Sequence, residues 1–229
     1  MSSNAGGADM QYGQFCPVAK ATEILGEKWT LLIIRELLMG GRRFNELQRG
    51  LGSISPALLT ARLKSLAEHG LVVRRKIHGK KGYEYFPTSS CNELLPILRS
   101  LGDWGMRWAK DNLIDEDYDV ELLMLYLERS IAKEKLPGAE TTLRFEFTDL
   151  SKQRIWWVVV HNDNIDICVK DPGRDVDVYF TATLRTMTDV WLGHRSYKKA
   201  IEEGDLFMVG PASLTRTVHS WLRCTEFSA

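Results

Sequence analysis

Residues 53–82 read SISPALLTARLKSLAEHGLVVRRKIHGKKG. Leu59, Leu63 and Leu66 recur at helical spacing, which leaves Ala57, Thr60, Ala61 and Lys64 on the opposite face of the same helix. That outward face is small, polar or basic, whereas an ordinary surface helix carries more glutamate. Ser55 supplies a hydroxyl cap and Pro56 takes the first helical position, where its missing N–H costs nothing. Gly70 ends the helix. Beyond it, LVVRRKIHG and GYEYFPT are β-prone runs around a Gly- and Lys-rich turn, a hairpin that carries Arg75, His78, Lys80 and Lys81. Small side chains let a helix sink into a major groove, where Thr60 and the two alanines meet base edges and Lys64 a phosphate or guanine. Ser55 and Arg62 complete the contact set on this helix, and the basic hairpin suits phosphates or a minor groove.

Upstream, Pro17–Leu25 is a short helix with Cys16 at its cap and Gly26 past its end. A second helix is expected from Glu27 to Met39, stopped by Gly40-Gly41. Arg42 and Arg43 follow as further phosphate ligands. FNELQRGL then forms the first half of a helix-turn-helix whose second half is the Ser53–Gly70 element. Downstream, Ser90–Asn112 reads as one longer helix, apolar on more than one face. The surplus face, with Leu98, Leu101, Trp104 and Trp108, is most simply buried against a second copy, so a homodimer is expected.

The 229 residues carry 30 Lys+Arg and 30 Asp+Glu, so the chain is formally neutral. The halves differ: residues 1–112 hold 16 basic and 10 acidic side chains, and residues 113–229 hold 14 and 20. Between Arg42 and Lys81 ten basic residues face only Glu46 and Glu68, a density suited to a polyanion. The four cysteines, Cys16, Cys91, Cys168 and Cys224, show no paired or metal-ligand spacing, so neither disulfides nor a metal site is expected. The run LLIIRELLM is interrupted by Arg35 and Glu36 and falls short of the roughly 20 apolar residues of a membrane span. MSSNAGGADM lacks the pattern of a signal peptide, which makes the cytoplasm the expected compartment and residues 1–14 a flexible tail.

The acidic half has a different build. IDEDYDVELL shifts the composition and leads into a connecting helix through Leu127 and Ile131, over residues 113–139. TLRFEFTDL alternates apolar and polar residues at period two, and IWWVVVH, NIDICVK and VDVYFTAT follow as strands, separated by turn residues. LRTMTDVWLGH and YKKAIEEG are helical, LFMVG is a last strand and PASLTRTVHSWL a final helix. The expected fold class is α+β, a winged helix-turn-helix domain followed by an α+β domain with one antiparallel sheet covered by helices.

Residues 15–112 resemble the HxlR family of bacterial winged-helix transcription regulators, relatives of the MarR group. The stretches that carry the likeness are CPVAKATEILGEKWTLLIIRELLMGGRRFNELQRGLGSISPALLTARLKSLAEHGLVVRR, YEYFPT and LRSLGDWGMRW; the wing turn and the Pro87–Cys91 junction depart from the family pattern. The resemblance implies a DNA-binding and dimerisation domain that reads an operator in double-stranded DNA. Residues 140–225 are similar, less closely, to sterol-carrier-protein-type lipid-binding domains, through YKKAIEEGDLFMVGPASLTRTVHSWL and the strand before TMTDVWLGH. That resemblance implies an apolar tunnel over residues 140–229, lined by some of Trp157, Val159, Ile167, Phe180, Trp191, Phe207 and Trp221, and with it an apolar small-molecule ligand.

Cys16 is a redox candidate, because a thiol at a helix N-terminus feels the positive end of the dipole, and several HxlR-type proteins sense oxidants or electrophiles. A capping cysteine that only packs is the alternative. His161 and His219 lie near Asp163 and Glu226 without a nucleophile or phosphate-binding motif, so no catalysis and no cofactor are expected. The competing account of the whole chain is a carrier of lipids or hydrophobic metabolites whose DNA-binding half is a vestige, or a thiol-based sensor acting through Cys16.

Overall fold

The computed structural model describes residues 11–79, 81–109, 113–161 and 164–225. They divide into two compact units, Met1–Leu98 and Arg99–Ala229.

The first unit opens with helix α1 (Pro17–Leu25) and helix α2 (Thr30–Leu38). α2 begins three residues later than its apolar spacing suggests, because Trp29 stands at its N-cap with φ 80° and ψ −18°, a left-handed conformation that no helix continues through. Helices α3 (Phe44–Gly50) and α4 (Pro56–Glu68) follow, and Ser55 caps α4 by accepting the Leu58 N–H at 3.3 Å. Leu59, Leu63 and Leu66 are buried, as are Ile33, Ile34 and Leu37 of α2. Each such side chain contributes about 1.5–3 kcal/mol on leaving water, so the leucine stripe fixes which face of α4 looks outward. Gly70 supplies the left-handed turn (φ 70°) after α4. Strands β1 (Val72–Lys76) and β2 (Tyr83–Pro87) then pair antiparallel, from Val72 opposite Pro87 to Lys76 opposite Tyr83. Arg43 bridges to Glu84 and widens the wing at its base.

The Ser90–Asn112 helix is two pieces, α5 (Ser89–Asn92) and α6 (Leu95–Trp108). Pro96 explains the division, since it has no N–H to give the Asn92 carbonyl four residues back and its ring crowds that carbonyl, so it is accommodated in the first turn of a new helix. Residues 110–112 lie outside the described residues.

In the second unit, α7 (Val120–Ser130) is capped by Asp119, whose carboxylate accepts the Leu122 N–H at 3.1 Å. Strands β3 (Glu140–Phe147), β4 (Ile155–His161) and β5 (Ile165–Cys168) form an antiparallel meander. β6 (Val178–Ala182) departs from the expected antiparallel sheet, for it runs parallel to β3 on the side away from β4. The turn at Asp171-Pro172-Gly173 forms as its residues suggest, with the Gly173 N–H donated to Asp171 at 2.8 Å. Turn chemistry is local, however, and residues 169–177 carry the chain back past β4 and β3. Arg174 reaches Glu140 on the way, and Asp177 accepts the Thr142 N–H at 2.8 Å. Helices α8 (Leu184–Trp191) and α9 (Tyr197–Glu202) lead to β7 (Leu206–Val209), antiparallel to β6. The mixed sheet therefore has the order β5-β4-β3-β6-β7.

PASLTRTVHSWL, expected as one helix, is α10 (Ala212–Thr215) and α11 (Val218–Trp221), with Thr217 between them at φ −106° and ψ 11°. The connecting helix also stops short of Ile131, which instead bridges to Leu222. Phe145 stacks on Phe180 at 4.6 Å and Trp221 meets Phe180 edge-on at 6.2 Å, so the inner face of the sheet is packed against the closing helix.

Candidate nucleic-acid interface

The α4 face opposite the buried leucines is exposed at Ala57, Thr60, Ala61 and Lys64, and Ser55 is exposed at its start. The Thr60 hydroxyl donates to the Pro56 carbonyl at 2.8 Å, which leaves its oxygen able to accept from an adenine or cytosine amino group. Lys64 reaches toward Glu68 at 3.6 Å in a pair so exposed that water and salt screen most of it. A polyanion can therefore take Lys64 from Glu68 at little cost.

The basic side chains around this face do not form one set. Arg43 is exposed and its guanidinium lies 3.6 Å from Glu84. Arg42 is half-buried, donating to the Leu37 carbonyl at 2.6 Å and the Gly41 carbonyl at 3.0 Å, and its guanidinium lies 5.6 Å from the centre of the Phe86 ring. It holds the wing base in place instead of pointing outward. Arg75 is exposed and its guanidinium lies 4.9 Å from the centre of the same Phe86 ring. His78 and Lys81 are exposed at the hairpin turn, and Lys80 lies outside the described residues. Arg62 is turned away from the α4 face altogether: Nε donates to the Lys28 carbonyl at 3.1 Å and Nη1 sits 2.5 Å from Glu27. Arg74 was not singled out by its sequence context, yet it is exposed on β1 and stacks over Tyr83 at 3.4 Å, a guanidinium plane set beside the wing. The alternation along VVRRK, which sends Arg74 and Arg75 to opposite faces of the hairpin, is the signal that marks it.

On α6, Leu98 belongs to the core of the first unit, whereas Leu101, Trp104 (57% exposed) and Trp108 (69% exposed) are uncovered, together with Ile97. Cys16 stands at the N-cap of α1 without a side-chain capping bond and is partly exposed. Cys91 is fully buried in α5, and burial pushes its thiol up to about 11.

Of the seven residues offered for a tunnel lining, the five on strands divide between the two faces of the sheet. Cross-strand register places Phe180 with Phe145 on the helix-covered face, beside Trp221. It places Val159 opposite Thr142, and Trp157 opposite Arg144, on the other face, where Phe207 pairs with Thr181 and is 61% exposed. Ile167, opposite Val158, returns to the first face. Trp191 stacks on Tyr126 at 4.7 Å and donates its indole N–H to Ser130 at 2.8 Å. Phe180 and Trp221 thus share one core, and Phe207, Trp157 and Val159 are not brought to it. A groove of about 480 Å³ opens elsewhere, between Lys133, Glu134, Glu140, Thr141 and His161, and it is mixed in polarity. Among the described residues no group of three or more His, Cys, Asp or Glu could hold a metal ion, and no helix is long and apolar enough to cross a membrane.

A capped helix with a small exposed face, preceded by a crossing helix and followed by a basic two-stranded wing, defines a winged helix-turn-helix. Residues 24–113 match the family described as HxlR-like helix-turn-helix. The HTH-type transcriptional regulator YvaP of Bacillus subtilis is 34% identical over 108 residues, 46% of this chain and 100% of YvaP. YkvN, an HTH-type transcriptional regulator of the same organism, is 30% identical over 106 residues, 46% of this chain and 90% of its own. Among solved structures, the reduced form of the B. subtilis transcriptional regulator YodB is 27% identical, covers 43% of this chain and 98% of that one, and has a TM-score of 0.38. The chain belongs to the HxlR-like helix-turn-helix family, through its N-terminal part.

Proposed function

We propose that the chain is a transcriptional regulator that binds operator DNA as a homodimer, with α4 in the major groove and the β1–β2 wing on the flanking backbone. The observation that carries this reading is the exposed Ala57, Thr60, Ala61 and Lys64 face of α4, held outward by the buried leucine stripe and bordered by Arg43, Arg75, His78 and Lys81. The uncovered apolar face of α6 supports the homodimer, since a two-fold operator needs two recognition helices about 34 Å apart. Duplexes enriched from a random-sequence pool by the full-length protein test it, with affinity measured against unselected DNA by fluorescence anisotropy. A ratio of at least about 1,000 at near-physiological salt is expected of a specific reader.

For the second unit the order of its elements, a helix, a three-strand meander, a crossover to a strand parallel to the first, helices, a strand and closing helices, supports the sterol-carrier-like reading. Trp221 and Phe180 fill the space between sheet and closing helix, so an apolar ligand enters this unit by displacing the Trp221 indole. Thermal shift of the full chain with fatty acids and sterols tests that role. If none of these probes stabilises the protein, the domain serves as a brace for the dimer.

A further inference from the structure

Arg62 sits mid-way along α4, between the leucine stripe and the outward face, and only 20% of its side chain is exposed. Its guanidinium spans two acceptors far back in the chain, the Lys28 carbonyl and the Glu27 carboxylate, which is itself 31% exposed. Both belong to the turn between α1 and α2. That turn contains the backbone anomaly of the unit, Trp29 at φ 80°. A bulky residue is strongly disfavoured there, and the usual occupant of such a position is glycine or asparagine.

The anomaly has a geometric consequence. The φ of Trp29 sets the plane of the peptide between Lys28 and Trp29. Moving from a helical φ of about −63° to the observed value rotates that plane by about 140°. The rotation turns the Lys28 carbonyl out of the ladder of α2, which starts with the Ile33 N–H on Trp29, and presents it sideways to α4. The leucine stripe decides which face of α4 looks outward but, being non-directional, is less able to fix the exact roll of that face. A charge-assisted fork onto two acceptors is directional and can do so.

We propose that Arg62, held by the Glu27–Trp29 turn, is a positioning residue for DNA recognition: it sets the roll of α4 in the groove and touches no phosphate. The proposal rests on the reading that α4 meets DNA. A residue of this kind leaves a signature different from that of a phosphate ligand, because removing it misplaces base contacts while the number of neutralised phosphates stays the same.

The test uses full-length protein, a duplex selected by the wild type from a random-sequence pool, and an unselected duplex of equal length, with affinities taken by anisotropy over a range of salt. Glu27→Gln removes no positive charge and so deletes no phosphate contact. It should lower the ratio of selected to unselected affinity by about tenfold, the order of one lost base contact. Arg62→Gln should lower that ratio as far without changing the dependence on salt, and the double variant no further. Arg62→Lys, which keeps the charge without the fork, should recover only part of the ratio. The proposal is overturned if Glu27→Gln leaves the ratio unchanged, or if Arg62→Gln weakens both duplexes alike and lowers the salt slope by about 1, the mark of a phosphate contact. A uniform loss with Glu27→Gln would reduce the turn to a purely structural role. A wild type that enriches no sequence would sink the DNA reading itself, a failure visible before any variant is made.

Discussion

Replacing Gly50 with alanine tests the packing that sets α3 against α2. A Cβ built on Gly50 falls 1.8 Å from Glu36 Oε2 and 2.4 Å from its Cδ. A carboxylate at the end of a flexible side chain would ordinarily swing aside. Here it is fully buried, and Arg35 holds it through Nη2 at 2.9 Å and Nε at 3.2 Å while Nη2 also donates to the Gly50 carbonyl at 3.2 Å. The methyl group must therefore push the carboxylate off Arg35 or part the two helices. Disrupting a buried ion pair costs about 3–5 kcal/mol and overpacking about 1–3 kcal/mol. Relaxation relieves some of either, so a loss of about 3 kcal/mol is expected, a large share of the roughly 5–15 kcal/mol that holds a domain together. Urea titration of the full chain followed by far-UV circular dichroism reads it. Glu36→Ala combined with Gly50→Ala should cost about 1–2 kcal/mol less than the two single losses added together, because the clash is gone. A Gly50→Ala variant within about 0.5 kcal/mol of wild type, the range of an ordinary surface change, would refute the interlock.

Trp104→Glu places a charge on the uncovered face of α6 and is expected to reduce the mass in light scattering from twice the 26.1 kDa of one chain to a single copy, with operator affinity falling in parallel. An unchanged mass would move the interface elsewhere. Cys91, whose thiol is pushed from 9.0 up to about 11, should resist iodoacetamide at pH 8 in the native protein while the partly exposed Cys16 is alkylated. The raised value also fixes a sign: the folded state favours the neutral thiol, so this contribution is complete below pH 9 and is lost as pH rises toward 11, where the unfolded chain ionises first. Cys91→Ser should flatten that loss, and an equal slope in both proteins would count against it. Trp221→Ala removes a fully buried indole that touches Phe180 and donates to the Leu214 carbonyl at 3.0 Å. It should cost about 3–5 kcal/mol and leave a cavity that small apolar molecules stabilise in a thermal shift; destabilisation with no gain from decane or benzene would argue that the site collapses.

The α4 element was legible because a single periodicity decided it: with Leu59, Leu63 and Leu66 inside, Ala57, Thr60, Ala61 and Lys64 have nowhere to be but outside. Caps and glycine turns are equally local, and Ser55 and Gly70 are where their chemistry puts them. The direction of Arg62 was not legible, since it depends on a carbonyl aimed by the positive φ of Trp29, and no residue type announces that conformation in a tryptophan. The parallel pairing of β6 with β3 was hidden for a related reason, as turn residues say that the chain bends but not which strand it then joins. In β7 the four residues LFMV are all apolar, so period two gives no face, and only the register with β6 shows Leu206 buried and Phe207 exposed. The strand residues that the sterol-carrier resemblance offers for a tunnel therefore lie on both sides of one sheet.

Paired salt titrations of Thr60→Ala and Lys81→Ala, against a selected duplex and an unselected one, test most directly whether α4 reads bases while the wing holds phosphates. Lys81→Ala is expected to weaken binding to both duplexes about equally and to lower the salt slope by about 1, whereas Thr60→Ala should leave the slope unchanged and alter the preference between sequences. Equal loss on both duplexes for Thr60→Ala, or no loss for either variant, would contradict it.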